Sequence, residues 1–283
     1  MSYLLPPITN PRRQFEFEIK LLADSLSFGG DASRYLGSGL EYAQSRKYEP
    51  GDPVKLIDWR VTARTGKTFV KEYEAARQVP IYLAVDTSAS MCVGSVERNK
   101  YYWAVRLAAG IALAGLERLS PVGLIAGGER DLRVTPTLSS QSLLQWAEQL
   151  RQYNFQERTQ LSTRLRTLAA SLKSRSIVFV LSDLHDEGSL EVMELLATNH
   201  ELVVLWLQDP AEVQLPRGGI FRAREAETGA RSVLHGWTKL TTSERTRESL
   251  VQSGIEFLHI PIDEPVLPRV RYFLKHRKSL GHD

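Results

Sequence analysis

The stretch Asp86-Thr87-Ser88-Ala89-Ser90 sets one carboxylate and two hydroxyls on alternate residues of a short loop. It directly follows Ile81–Val85, an apolar run with the length and composition of a buried parallel strand. In an open α/β sheet, ligands gather at the carboxyl edge, where the strand order reverses. Oxygen-only donors suit a hard, octahedral cation such as Mg²⁺, with Mn²⁺ or Ca²⁺ as alternatives. One loop cannot complete such a shell. Thr159, in the polar loop 156–160 directly before a helix, and Asp183, in Ser182-Asp183-Leu184 after the most strand-like run, are the residues that answer this demand. A sheet of order 3-2-1-4-5-6 would make the strands ending at Asp86 and Asp183 neighbours at the reversal point. The oxygens of Asp86, Ser88, Ser90, Thr159 and Asp183 would then converge. The competing explanation for each is local: Asp and Ser satisfying turn amides, Thr159 or Asp183 capping the helix that follows.

The elements that must position these residues begin near Pro80. Strands are expected at 81–85, 122–126, 177–181, 202–207 and 256–260, with an antiparallel return strand at 131–137. Helices are expected at 99–119, from Ser139 or Ser140 to about 153, at 161–172, 189–197 and 243–252. Strands separated by helices of this length predict a doubly wound, mostly parallel α/β sheet of Rossmann type with helices on both faces. The first eighty residues read differently. A helix is expected at 16–26 and a strand at 68–73, with glycines at 29, 30, 37 and 39 and a turn at 49–52 between them. This predicts an irregular, partly β N-terminal appendage over 1–78, the α/β domain over 79–262, and a C-terminal helix with a basic tail over 263–283. The segment 209–240 is expected to be irregular.

Composition narrows the function classes. The chain has 283 residues, 42% hydrophobic and 24% charged, enough for a sizeable core. Its 36 basic and 33 acidic side chains give a formal net charge of +3, too small to predict a nucleic-acid partner. The single cysteine, Cys92, excludes an internal disulfide and a zinc ribbon and is expected to be structural. No apolar run reaches the roughly 20 residues of a membrane span, and the N-terminus does not resemble a signal peptide, so the expectation is a cytoplasmic protein, with peripheral membrane attachment through a partner left open. The run Ala63-Arg64-Thr65-Gly66-Lys67-Thr68 imitates part of a phosphate-binding loop, but Val61 stands where the first glycine is needed. His185, Asp186 and Glu187 are expected in a solvated loop that could line the site. Trp59 is expected to anchor the appendage to the α/β domain and Arg60 to pair with a carboxylate, the alternative being that both face a partner.

The Asp86, Ser88, Ser90, Thr159 and Asp183 pattern resembles the metal-ion-dependent adhesion site of von Willebrand factor A domains, over about residues 79–262. A second resemblance is carried by the run Glu41 to Asp52 with its Glu49-Pro50-Gly51-Asp52 turn, by Ile57-Asp58-Trp59-Arg60, Ala63-Arg64 and Met91, and by Asp209-Pro210-Ala211-Glu212, Leu215-Pro216 and Glu227-Thr228-Gly229. Over roughly residue 29 to the C-terminus the chain resembles the domain of unknown function 58 family. The resemblance implies an A-domain protein paired with a MoxR-type AAA+ ATPase, acting as an adaptor or co-chaperone in the maturation of other proteins. It implies Mg²⁺ held by the five residues and no enzymatic activity.

The chemistry of the site agrees with binding. Three hydroxyls and two carboxylates leave the cation less neutralised than a cage of four carboxylates would, and an open coordination position would attract a carboxylate from an acidic client protein. Losing such a contact would cost on the order of 2–5 kcal/mol. The alternative is a metal-dependent, phosphatase-like hydrolase using Asp86 and Asp183. Against it, no second carboxylate accompanies Asp86 in its loop, and no Gly-x-Ser-x-Gly elbow occurs. An RNA-associated role is disfavoured by the weak net charge.

Overall fold

The computed structural model describes residues 11–26, 40–75, 79–152, 156–213, 220–224, 231–235 and 242–276. In chain order the elements are α1 (Pro11–Leu26), β1 (Leu40–Lys47), α2 (Trp59–Thr65), β2 (Phe69–Ala75), β3 (Ile81–Val85), α3 (Ala89–Cys92), α4 (Lys100–Glu117), β4 (Val122–Ala126), β5 (Arg133–Thr137), α5 (Ser140–Leu150), α6 (Leu161–Ser171), β6 (Ile177–Ser182), α7 (Glu187–Asn199), β7 (Glu201–Gln208), α8 (Pro210–Val213), β8 (Ile220–Arg224), β9 (Arg231–His235), α9 (Thr242–Gln252), β10 (Glu256–Pro261) and α10 (Val266–His276).

Six strands form the main sheet in the order β10-β7-β6-β3-β4-β5, parallel except for β5, which runs antiparallel to β4 at one edge. Numbered by their own sequence order, these strands stand 6-5-4-1-2-3, the reversal expected from the sequence. β3 and β6 are neighbours on either side of the reversal, with Val85 opposite Leu181. The inner strands β3, β4, β6 and β7 are apolar on both faces, as a doubly covered sheet requires, whereas the edge strand β5 is polar and partly exposed. Alternate residues feed two cores. Ile81, Leu83, Val85, Phe179 and Leu181 face one side with α4, α5, α10 and α1. Ala84, Val178, Val180 and Val204 face the other with α6, α7 and α9.

α4 lies deep in the first core, with Leu107, Ala108 and Ala112 inaccessible to solvent. Its Gly110 admits α1: a Cβ there would lie 2.2 Å from Leu22 Cδ2. Arg106 Nε bonds Glu18 Oε2 at 2.7 Å across the same contact. The first 78 residues are therefore not uniform. α1 joins the core of the α/β body, whereas 40–75 folds on itself as the β1–β2 hairpin crossed by α2.

Asp58 organises that hairpin. It caps α2 by accepting the amides of Arg60 and Val61, and its other oxygen takes the Ser45 hydroxyl at 2.7 Å. Asp52 holds Arg46 through two hydrogen bonds of 2.7 and 2.8 Å. Two expectations are corrected here. Trp59 is 68% exposed rather than anchoring the module, and Arg60 has no ion pair among the described residues. The first turn of α2, capped by Asp58, sets both side chains on its solvent side. The run 63–68 leads through Gly66, with φ of 68°, into strand β2 and not into the helix that a phosphate loop needs.

Sequence reading also missed β1, α2, the single turn α3, α8 and the antiparallel β8–β9 pair. The last two lie in the segment expected to be irregular. Gly29, Gly30, Gly37, Gly39, Leu215-Pro216 and Glu227-Thr228-Gly229 lie outside the described residues.

Candidate functional site at the carboxyl edge

β3 ends at Val85, and the next amide, of Asp86, donates to Leu181 O of β6 at 2.9 Å. The parallel ladder thus runs one residue past the strand and brings Asp86 beside Ser182 and Asp183. The Asp86 side chain is buried. One oxygen accepts the Ser88 amide at 3.0 Å and the other the Ser182 hydroxyl at 2.7 Å. Ser88 Oγ lies 3.0 Å from Ser90 Oγ, so the carboxylate and both hydroxyls of the loop share one small volume. Among the described residues no cationic side chain pairs with Asp86. Burial, then the neighbouring Asp183 charge, pushes its carboxyl up to about 7, against the hydrogen bonds from Ser182 and Ser88.

Asp183 is treated differently. Its Oδ2 takes Lys100 Nζ at 2.7 Å and lies 3.2 Å from His185 Nδ1. Its carbonyl accepts Trp206 Nε1 at 3.1 Å, and the turn after it is made by Leu184 at φ 60°, whose amide bonds Ser182 Oγ. Lys100 Nζ also bonds Glu212 Oε1 of α8. The Lys100 and Asp183 side chains are each 1% exposed. Burial alone would raise the Asp183 carboxyl, but the Lys100 ammonium and His185 outweigh it and hold the group below the usual carboxylate range.

Thr159 lies on the third loop of the same edge. It forms an isolated bridge with Gly128, directly beyond β4, and the next amide, of Gln160, donates to Gly127 O. Gly127 N in turn bonds Val85 O at 2.7 Å. Glu157, buried in this loop, accepts the Thr87 hydroxyl at 2.6 Å and holds Arg130 at 2.8 Å; its carbonyl takes the Ala89 amide at 2.7 Å. A Cβ on Gly128 would sit 2.2 Å from Glu157 Oε1, so only glycine permits this approach. Thr159 Oγ1 is 3.5 Å from the Leu161 amide, at the outer limit for a cap. The Ser162 amide in the first turn of α6 is satisfied from another loop, by Asp186 Oδ2 at 2.8 Å. The structure thus brings Asp86, Ser88, Ser90 and Asp183 together and lays the Thr159 loop against the Asp86 loop.

The residues sequence reading missed are Lys100 and Glu212, and His185 was assigned to a solvated loop. His185 is 46% exposed but reaches Asp183, while Asp186 is the N-cap of α7. A signal for Lys100 existed: a lysine at the first position of a helix, directly after its Asn99 cap, opposes the helix dipole. Glu212 belongs to the Asp209–Glu212 run, whose purpose now becomes visible. Asp209 takes the Ser95 amide and hydroxyl at 2.7 and 2.5 Å, holding the loop before α4, and Glu212 reaches Lys100 at its start. Cys92 is buried, as expected, and its carbonyl accepts Asn99 Nδ2.

The family described as "Protein of unknown function DUF58" matches residues 44–254. The chain belongs to the DUF58 family. An uncharacterized protein of Mycobacterium tuberculosis, Rv1480, is 30% identical over 231 residues, covering 79% of this chain and 72% of its own. Uncharacterized protein YeaD of Bacillus subtilis is 28% identical over 94 residues, covering 32% of this chain and 24% of its own. Among solved structures, a conserved hypothetical protein BatB from Bacteroides thetaiotaomicron is similar with a TM-score of 0.46 at 15% identity, covering 69% of this DUF58 chain and 96% of its own. The DUF58 match begins inside β1 and ends after α9, so it takes in the self-folded module, the sheet edge and the Asp209–Glu212 run together. No described helix is long and apolar enough to cross a membrane.

Proposed function

We propose that this DUF58 chain is a non-enzymatic, metal-dependent protein-binding adaptor that presents a Mg²⁺ ion at the carboxyl edge of its sheet to a carboxylate of a client protein. The ligands would be Asp86, Ser88, Ser90, Thr159 and Asp183, in the manner of the adhesion site of von Willebrand factor A domains. The observation that carries the reading is Asp86: a buried carboxylate beside two clustered hydroxyls, with a second carboxylate on the next strand and no cation of its own. An isolated buried charge is costly, and the group either stays protonated or acquires a cation. The donor set is all oxygen, which suits Mg²⁺, with Mn²⁺ or Ca²⁺ as substitutes. Asp183 fits as a partner through Oδ1, because Oδ2 is already held by Lys100. When bound, the metal would supply an electrophilic position for an outside carboxylate. The family resemblance makes a MoxR-type AAA+ ATPase the expected working partner in protein maturation.

Calorimetric titration of Mg²⁺ tests the site. The native chain should bind one equivalent, and folded Asp86→Ala should bind none; equal binding by both would remove the site assignment. Pull-down with and without chelator, with retained proteins identified, tests the adaptor role. A partner retained equally in chelator would end the metal-bridging reading. Asp86-dependent release of phosphate from a phosphoester panel would replace it with a hydrolase.

A further inference from the structure

We propose that Lys100 is a built-in cation: its ammonium occupies the place a second metal ion would take among Asp183, His185 and Glu212, so that this edge has room for one divalent ion and excludes zinc from its nitrogen-bearing half.

Asp183, His185 and Glu212 each offer a ligand atom, and these atoms all lie within 4.8 Å of one another. Two carboxylates and an imidazole at that spacing are a donor set for Zn²⁺. Lys100 Nζ sits inside the set, bonded to both carboxylates. Its side chain is 1% exposed, as is that of Asp183, so no water-borne counterion can take over its role without displacing it. The lysine is there despite its position. It opens α4 directly after the Asn99 cap, where the helix dipole disfavours a positive charge, and it is buried, where an ammonium is costly unless paired. Neither local propensity nor core packing calls for it. The neighbouring charges do.

Charge counting gives the consequence. With all three ionised and the imidazole neutral, as metal binding requires, Asp86, Asp183 and Glu212 carry three negative charges and Lys100 one positive, leaving two, which one divalent ion neutralises. With Lys100 absent the same carboxylates would call for a second cation, and the histidine would make that position attractive to a softer metal. Lys100 thus performs selection as well as neutralisation. It leaves only the oxygen-lined loop at Asp86 for a metal, and a fixed ammonium cannot be replaced by whichever ion is abundant. Because Glu212 lies on α8, the same ammonium also ties the Asp209–Glu212 strap to the site. The charge count rests on the Mg²⁺ reading above; the zinc exclusion does not.

The test is Zn²⁺ stoichiometry by equilibrium dialysis with metal analysis, on the full chain and its variants, with folding followed by circular dichroism. Lys100→Met should gain one zinc equivalent over the native chain. That gain should disappear in Lys100→Met/His185→Ala and in Lys100→Met/Glu212→Gln. A folded Lys100→Met that gains no zinc overturns the proposal. A second arm needs no substitution at Lys100: His185→Ala in the native background should leave zinc uptake unchanged, because the ammonium already bars the ion. A drop of one equivalent there would show zinc bound with Lys100 in place, and would overturn the proposal even if Lys100→Met did not fold. Mg²⁺ titrations in parallel, with Ser88→Ala as their control, separate the two ideas. Absent Mg²⁺ binding removes the proposed function and leaves the zinc result standing.

Discussion

Asp86 and Asp183 are each the first residue beyond one of two adjacent parallel strands, both buried, yet the protein equips them oppositely. Asp183 is met by an ammonium and an imidazole; Asp86 is met by an amide and hydroxyls. The first is a completed electrostatic unit and the second an incomplete one. The difference teaches that burial of a carboxylate does not by itself signal a metal site. What signals it is burial without a resident cation.

The largest effect is expected at Lys100. Removing one member of a buried ion cluster leaves its partners uncompensated and costs about 3–5 kcal/mol. Lys100→Met should lower the urea unfolding free energy by that amount in chelator. Asp86→Asn, by contrast, removes a charge that has no partner, and above pH 7 in chelator it should leave stability equal or raise it. If both variants destabilise to the same degree, the two strand ends are not opposites and the contrast fails.

The next effect is a pH profile. Burial pushes the Asp86 carboxyl up to about 7 from its ordinary value near 3.8, so the native state binds the proton more tightly than the unfolded chain. Its contribution is therefore present at low pH and is lost as pH rises between about 4 and about 7, with a ceiling of about 4 kcal/mol. Asp183 works in the other direction. Its carboxyl is depressed, so its contribution is present above the unfolded value near 3.8 and is lost as pH falls below it. In chelator the urea midpoint should decline from pH 4 to pH 7. Saturating Mg²⁺ should flatten this decline, because the ion stabilises the ionised form, and Asp86→Asn should remove most of it, leaving the smaller contribution of Glu212, whose carboxyl burial also raises. A decline unaffected by Asp86→Asn would assign the slope to another group.

A smaller effect is expected where the third loop is braced. Thr87→Val leaves Glu157 Oε1 without the buried hydroxyl that donates to it at 2.6 Å, though Arg130 still holds the carboxylate. About 1–2 kcal/mol should be lost by thermal or urea unfolding. The more telling readout is Mg²⁺ affinity. If Thr159 completes the shell, loosening its loop should weaken Mg²⁺ binding severalfold while leaving Lys100–Asp183 untouched. Unchanged affinity would take Thr159 out of the ligand set.

Much of this was legible in the sequence because the signals were periodic. β3, β4 and β6 are short apolar runs bounded by polar loops, and buried parallel strands have few other ways to be written. The alternation of strand and helix implied a parallel sheet but not its order; the order 3-2-1-4-5-6 entered as a condition, and the structure meets it and places Asp86 next to Asp183. The module at 40–75 was not legible, because its order comes from side chains bonding at a distance, Asp58 to Ser45 and Asp52 to Arg46, on strands with mixed polarity. Lys100 was hidden for a similar reason. Its partners lie 83 and 112 residues away, so the local sequence shows a lysine set against the helix dipole but not the carboxylates that put it there. The sequence offers the ligands of a site more readily than the charges that balance them, because ligands cluster in loops and balancing charges come from any element that passes.

The smallest expected effect is at His185, and it tests whether the Asp183 end is complete without it. His185 Nδ1 is 3.2 Å from Asp183 Oδ2 on a side chain that is 46% exposed. The Asp183 hydrogen bond raises the folded-state pKa of His185 above its ordinary value, more than burial lowers it. The pairing therefore adds stability fully below about pH 6.5 and loses it as pH rises through the folded value. Solvent access limits it to less than about 1 kcal/mol. His185→Ala should thus lower the urea midpoint slightly at pH 5.5 and not at pH 9, with chelator present in both. A loss as large as that of Lys100→Met would mean that the imidazole, and not the ammonium, is the principal partner of Asp183. The contrast between the two strand ends would then rest on a titrating group rather than on a fixed one, and raising the pH would make the two ends alike.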